Sequence, residues 1–269
     1  MKKGMIFTTV VMVLAVCGVG RAQGDLGVTI DGTWVSKYIW RGFDRLDDKA
    51  AFQPSVMLDL FNTGFNVGVW GSWAGASGSR ISTVDATELN YIAGYNGSLC
   101  GGDAMQVDYA LTYIYYDFID QPSRNADTHE ISLSIALPQI TGIGLVPRYT
   151  AAYLWDARSG GPARDVTGWI HEFGLDYNLI VGEIIPNNPE QIFTFSWDIT
   201  YNDGAGAINT APGRGRVDHD WSHMTWGVKT EICLPWGTFT PGLYYQTSME
   251  DTVNTQDEFW TGLSYTLKF

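Results

Sequence analysis

Apolar and polar residues alternate along most of this chain with a period of two, and this pattern limits the possible folds more than any other feature. It is clear in MQVDYALTYIYY at residues 105–116 and in FTFSWDITY at residues 193–201. Successive side chains of a β-strand point to opposite faces, so each segment predicts a strand with one apolar and one polar face. No comparable helical period is evident after the first 22 residues.

The alternation recurs in about twelve segments of roughly ten or more residues, a length that suits a tilted membrane-spanning strand. The connectors are alternately short and long, which is typical of an up-and-down antiparallel transmembrane β-barrel. The sequence therefore predicts an all-β fold with about 12 strands. The predicted strands cover residues 28–41, 52–61, 65–75, 85–95, 105–117, 128–137, 143–156, 169–179, 191–202, 221–234, 238–248 and 258–269.

A soluble β-sandwich also has alternating strands, so the aromatic residues decide between the two folds. Aromatic side chains fall on the predicted apolar faces near both ends of the strands, as in the two interfacial girdles of a membrane barrel. Near the long loops these are Trp40, Trp73, Tyr115, Trp155, Trp169 and Tyr201, and near the short turns Phe65, Tyr95, Tyr177, Phe193 and Phe269. The predicted fold is therefore a barrel that encloses a polar lumen and faces lipid outside.

The N-terminus predicts export. Two lysines precede an apolar run that ends near Val19, and Gly20 and Ala22 fit the small residues of a cleavage site. A lipoprotein signal ending at Cys17 is the alternative. We predict a signal peptide at residues 1–22, one barrel domain at residues 23–269, and a location in the bacterial cell outer membrane.

Cleavage after Ala22 removes three basic residues and no acidic one, so the net charge of −13 becomes −16. A protein this acidic lacks the basic surface that nucleic-acid binding requires, so no nucleic-acid partner is expected. Cys100 and Cys233 are the cysteines that remain, on well-separated predicted strands, and no spacing matches a zinc site. No cofactor is expected, although Asp218, His219, Asp220 and His223 could together chelate a metal.

The chain ends in FWTGLSYTLKF, with apolar residues on one face of the last strand. This ending resembles the C-terminal signal that the outer-membrane barrel assembly machinery reads, so that machinery is an expected partner. The residues assigned to the signal are Leu263, Tyr265, Leu267 and Phe269.

The first strand carries SKYIWRGF, which is followed by AFQPSVMLDLFNTGFNVGVWGSWA. These segments resemble the N-terminal signature of the TorF-like porin family of bacterial outer-membrane β-barrel proteins, which has a Ser-x-Tyr-x-x-Arg-Gly motif. Here the motif falls on Ser36, Tyr38, Arg41 and Gly42, and the resemblance is clear over residues 28–75. It implies an outer-membrane location and a pore, and it implies no particular substrate.

A structural role is expected for Arg41, and contact with a solute in the lumen is the alternative. If the first strand runs to residue 41 and pairs with the last, Arg41 lies opposite Glu258 and Asp31 opposite Lys268. Opposed charges stabilise a sheet by about 0.2–1 kcal/mol per pair. The same register matches Trp34 with Tyr265 on the lipid face, where Tyr38 and Trp40 are also expected.

Parity along the strands assigns ten acidic and five basic side chains to the lumen. They are Asp31, Lys37, Arg41, Asp59, Glu88, Asp108, Glu130, Arg148, Glu172, Asp176, Asp198, Lys229, Glu231, Glu258 and Lys268. The expected function is a porin or channel for small solutes whose acidic lumen favours cations. A polar plug formed by pairing of the same charges is the alternative for the lumen.

Two other classes of function are considered. A non-conducting structural or adhesin-like barrel would bind a partner through outer loops, and residues 203–220 are the best candidate loop. A lipid-modifying enzyme is not expected, because no outward serine lies near His129 or His171 and no catalytic constellation is visible. The two histidines are instead expected to meet lipopolysaccharide headgroups among the outer-membrane lipid.

Overall fold

The structure is a computed structural model, and it describes residues 25–75, 87–119, 127–157, 166–182, 184, 190–206 and 217–269. Within these residues, no helix has the length and apolar character needed to cross a membrane. The described chain forms fifteen strands. They are β1 (Gly27–Val35), β2 (Ile39–Trp40), β3 (Phe43–Asp44), β4 (Ala51–Asp59), β5 (Phe65–Ala74), β6 (Thr87–Leu99), β7 (Val107–Phe118), β8 (Thr128–Ala136), β9 (Leu145–Asp156), β10 (Gly168–Gly182), β11 (Glu190–Asp203), β12 (His219–Thr230), β13 (Ile232–Leu234), β14 (Gly237–Ser248) and β15 (Glu258–Lys268).

Twelve of these strands form the wall of one closed antiparallel barrel. Strand β1 pairs with β4 on one side and with β15 on the other. Strands β4 to β12 pair in chain order, β12 pairs with β14, and β14 pairs with β15, which closes the ring. Strand β13 continues the β12 edge against β14. The prediction of an up-and-down barrel with twelve strands is confirmed.

The wall has an apolar outside and a polar inside, as the alternation predicted. Trp34, Phe52 and Leu111 are 41%, 50% and 47% exposed on the outer surface. Glu130 and Gln246 are each 0% exposed on the inner surface. Because alternate residues of a strand face opposite sides of the sheet, the alternation of apolar and polar residues produces both the apolar outer surface and the polar inner surface.

The first strand is shorter than predicted. Strand β1 ends at Val35, whereas the prediction ran to residue 41, and the next residues fold into the barrel as the small β2–β3 hairpin. The predicted closing register is also wrong, because Lys268 lies opposite Thr29 and Asp31 lies opposite Thr266. Trp34 accordingly faces Leu263 instead of Tyr265.

The other boundaries lie close to the predicted ones. The largest difference is in β6, which continues to Leu99 where the prediction ended at residue 95. The predicted signal peptide and its cleavage site lie outside the described residues, as does most of the loop at 203–220. Cys100 and Cys233 are both exposed, and no disulfide joins them.

Candidate functional site in the barrel lumen

The chain leaves the wall at Ser36 and turns into the lumen. The Ser36 backbone N–H donates to the Thr261 carbonyl and the Thr261 backbone N–H donates to Ser36 Oγ, each at 2.9 Å. The β1–β15 ladder ends here, because Thr261 N–H donates to the Ser36 side-chain oxygen and not to a backbone carbonyl of a continuing β1. The inner hairpin, defined here as residues 37–48, follows directly.

Arg41 and Gly42 form the tip of the inner hairpin. Both have positive φ, 47° and 91°, and they lie between the paired residues Trp40 and Phe43. Two positive φ values in a two-residue loop are the mark of a type I′ turn, which suits the twist of the flanking strands. A Cβ added to Gly42 would lie 2.5 Å from Nδ1 of His223, so the position requires glycine for space as well as for backbone geometry.

Apolar packing holds the inner hairpin inside the barrel. Tyr38, Phe43 and Leu46 are buried, and Trp40 packs against three separate apolar clusters of the inner wall and outer loops. The Trp40 ring also meets Tyr116 edge-on, with centroids 6.0 Å apart. The prediction that Tyr38 and Trp40 face lipid is therefore wrong, because both lie on the hairpin and not on β1.

Arg41 is held between two wall carboxylates. Its Nη2 lies 2.7 Å from Oε1 of Glu130, and its Nε lies 3.7 Å from Glu172. Glu130 also accepts a hydrogen bond from the Tyr116 hydroxyl at 2.8 Å. Burial alone would lower the pKa of Arg41, but the two carboxylates outweigh it and hold that pKa above its usual value. The predicted Arg41–Glu258 pair is wrong, because Arg41 reaches strands β8 and β10 across the lumen.

Glu88 anchors the other side of the inner hairpin. It accepts a hydrogen bond from the Tyr38 hydroxyl at 3.3 Å, and the Arg45 guanidinium lies 3.9 Å away. Asn90 donates to the same carboxylate at 2.8 Å. Removing one partner of a buried ion pair costs about 3–5 kcal/mol, so these contacts fix the hairpin strongly.

Lys37 closes the base of the inner hairpin. Its Nζ lies 2.7 Å from Glu258 and also contacts Asp48. Burial lowers the pKa of Lys37, but the bonds to Asp48 and Glu258 outweigh it and raise that pKa to about 12. Asp44, Asp48 and Glu258 are close enough to hold a metal ion together. The Lys37 ammonium already contacts two of these carboxylates, Asp48 and Glu258, and offsets one of their negative charges.

A second ion-pair group lies further along the lumen. Arg148 Nε is 3.1 Å from Asp176, and Arg148 Nη2 contacts Asp198. Asp31 accepts hydrogen bonds from the hydroxyls of Thr33 and Thr266, at 2.6 Å each. The predicted Asp31–Lys268 pair is replaced by these hydroxyl contacts.

The remaining residues that parity assigned to the lumen lie towards the rim of short turns. Asp108 accepts hydrogen bonds from Ser98 and Gln106 at 2.5 and 2.8 Å. The other four are exposed and do not join the central ion-pair groups: Asp59, Lys229, Glu231 and Lys268. The structure thus brings together nine of the fifteen around the inner hairpin and Arg148, and leaves the other six apart.

A cavity of about 190 Å³ lies between the hairpin tip and the wall formed by β9 to β15. Arg41 and Gly42 line it from the hairpin side. The wall contributes charged and polar groups together with one indole: Arg148, Glu172, Asp198, His223, Gln246 and Trp260. Gln246 Nε2 donates to the Gly42 carbonyl at 3.0 Å, which links the wall to the hairpin tip.

Sequence reasoning missed several members of this site. Arg45 was read as part of a loop, and His223 was grouped with His219 as a metal-binding candidate. In the structure His223 is buried beside Gly42, whereas His219 is exposed and hydrogen-bonds to Asp203 at 2.5 Å. A sequence signal did exist for the turn, since Arg-Gly within an alternating segment is compatible with a two-residue hairpin loop.

The outward histidines lie in an aromatic band near the rim of long loops. The Tyr113 hydroxyl is 2.7 Å from Nδ1 of His129, and the Tyr149 hydroxyl is 2.8 Å from Nδ1 of His171. The His129 and Trp155 rings stack at 5.2 Å. These contacts match the prediction that both side chains lie on the outer surface.

Known proteins share parts of this sequence and its fold. Residues 21–153 match a family model. The family is described as "Bacterial protein of unknown function (Gcw_chp)". The matched segment is just under half of the chain and includes SKYIWRG; the TorF-like relationship stays a prediction. No curated protein matches this chain in sequence.

Solved structures resemble the whole barrel. The NanC porin has a TM-score of 0.51 at 10% identity, over 90% of this chain and 100% of that one. The COG4313 outer membrane channel from Pseudomonas putida F1 has the same TM-score and identity, over 94% and 99%. At these identities the likeness establishes the fold, which is that of a porin-type β-barrel.

Proposed function

We propose that the protein is a bacterial outer-membrane channel for small solutes, narrowed by its inner hairpin and selective for cations. The observation that carries the proposal is the inside-out distribution of side chains in a closed barrel. Large apolar residues cover the outside, while ion pairs, polar groups and a cavity occupy the inside. A water-soluble protein has no use for such an outer surface, whereas a bilayer requires it.

The two ends of the outer wall support placement in an outer membrane. The aromatic band around His129 and His171 suits an interface with lipid headgroups, and we assign it to contact with lipopolysaccharide. At the other rim, Leu263 and Tyr265 are exposed on the outer face of β15. We assign this ending, with Leu267 and Phe269, to recognition by the barrel assembly machinery.

The proposed cation preference rests on the charge of the lumen. Acids outnumber bases by ten to five among the residues assigned there, and this excess lowers the energy of a cation in a narrow aqueous path. The inner hairpin makes the path narrow, because it reaches from Glu258 on β15, through Lys37, to Glu130 and Glu172 on β8 and β10. A small unitary conductance follows.

The test is a current recording from the purified full-length barrel in a planar bilayer, with a tenfold gradient of potassium chloride. We expect small, discrete current steps and a reversal potential of the sign that potassium permeation produces. Absence of any conductance, or a reversal potential of the opposite sign, contradicts the proposal. The adhesin-like alternative depends on the loop at 203–220, most of which lies outside the described residues.

A further inference from the structure

We propose that the lumen cavity beneath the hairpin tip is a binding site for a small solute that carries a protonated amine next to an oxygen acceptor. Amino acids and amino alcohols belong to this class. The inference rests on the proposed channel function, because the solute would occupy the site while crossing the lumen. It goes further by naming the solute chemistry and the residues that select it.

The net charge of the cavity favours a cationic group. Arg41 and Arg148 line the cavity, but each already contacts two carboxylates. The four carboxylates and two guanidinium groups leave a formal excess of two negative charges. Glu172 and Asp198 belong to this group and also line the cavity, so they face whatever enters. A simple anion would gain little from arginines that are already paired, and the excess charge would repel it.

Two buried atoms of the lining point to a ligand that both donates and accepts hydrogen bonds. Among the described residues, Gln246 Oε1 and Arg41 Nη1 have no hydrogen-bond partner. Gln246 is fully buried, and its amide nitrogen is already used by the Gly42 carbonyl. Buried polar groups are normally satisfied, so an acceptor and a donor left open beside one cavity define complementary features of its occupant. The ammonium group of the solute would donate hydrogen bonds to Gln246 Oε1 and to the carboxylates. The oxygen acceptor of the solute would accept one from Arg41 Nη1.

Size and shape complete the match. A volume of 190 Å³ is equivalent to about six molecules of liquid water, so only a small solute fits. Trp260 and Ile39 add apolar surface for a short carbon chain. A compact zwitterion such as serine is of a size to fit this space.

The test is equilibrium binding by titration calorimetry, with the full-length barrel in detergent. The probes are ethanolamine, serine, lactate and glycerol, which are cationic, zwitterionic, anionic and neutral. We expect ethanolamine and serine to bind, with serine the tighter, and lactate and glycerol to show no binding. Because calorimetry requires no ion flow, this result is independent of whether the barrel conducts.

Two matched variants locate the site. Asp176→Asn and Asp198→Asn each remove one negative charge from the Arg148 group, but Asp198 lines the cavity and Asp176 does not. Losing a hydrogen bond to a charged group should weaken serine binding by about tenfold or more in Asp198→Asn, and much less in Asp176→Asn.

Three results would overturn the inference: no binding of either amine, tighter binding of lactate than of serine, or equal losses in the two variants. A conducting barrel that binds no probe would reject the site and leave the channel standing. A barrel that binds serine through Asp198 and conducts no current would reject the channel alone.

Discussion

At the scale of single residues, four positions redirect the first loop into the lumen. Ser36 ends the β1–β15 ladder, Tyr38 and Arg41 contact carboxylates of β6 and β8, and Gly42 makes the turn. These are the four residues of the Ser-x-Tyr-x-x-Arg-Gly pattern in SKYIWRG. These four residues therefore place the inner hairpin in the lumen. From the sequence, the same residues were predicted to belong to the first wall strand and to its pairing with the last strand.

Gly42→Ala tests the turn. The substitution places a Cβ on a left-handed backbone, 2.5 Å from the His223 ring. We therefore expect a lower midpoint temperature of unfolding, measured from the gel mobility of heated samples of the barrel. Gly102→Ala is the matched control, because Gly102 has φ of 80° and nothing within 4 Å of an added Cβ. It should cost only the conformational penalty of about 1–2 kcal/mol for a side chain in the left-handed region. Equal shifts in the two variants would mean that the hairpin tip is not packed against β12.

At the scale of elements, the sequence predicted the wall strands well and failed at the inner hairpin. A period of two identifies a strand and its apolar face. It predicted all twelve wall strands, because lipid on one side of the wall and polar groups on the other enforce the alternation. Strands β2 and β3 alternate as well, so nothing in the period separates them from β1. The partners of Arg41 could not be predicted, because they depend on contacts across the lumen between residues about 90 positions or more apart.

The seam between β1 and β15 gives a prediction about register. Val28 and Phe269 exchange backbone hydrogen bonds at 3.0 and 2.9 Å, so Thr33 and Ser264, which lie opposite each other, form a non-hydrogen-bonded pair. Such pairs approach to about 4.5 Å between Cα atoms, which suits a disulfide. Thr33→Cys with Ser264→Cys should cross-link on oxidation, in a background with Cys100 and Cys233 replaced by serine.

The control for the seam is the register that the sequence suggested. Thr33→Cys with Thr266→Cys matches that alternative, and in the structure these residues are diagonal neighbours about 7–8 Å apart. This pair should stay largely unlinked in a non-reducing gel. Efficient linkage of Thr33 to residue 266 and not to residue 264 would show that the barrel closes with the register shifted by two.

At the scale of the whole molecule, the barrel is a closed wall with an internal constriction made from its own first loop. The wall alone would enclose a wider lumen. The hairpin fills part of this lumen with Trp40, Phe43, Arg41 and Arg45. The acidic excess and the cavity below the tip then face whatever passes. Channel function, ion preference and solute selection in this account all depend on where the hairpin lies.

The most direct test is the unitary conductance of a barrel without the hairpin. Residues 38–46 are replaced by a short Gly-Ser linker, with Glu88→Gln and Glu130→Gln to avoid leaving buried charges unpaired. An equal replacement of residues 101–104, in a turn at the opposite rim, is the control. The account predicts a small conductance for the natural chain and the control, and a clearly larger one for the hairpin variant. Equal conductance in all three, or no current in any, would contradict it.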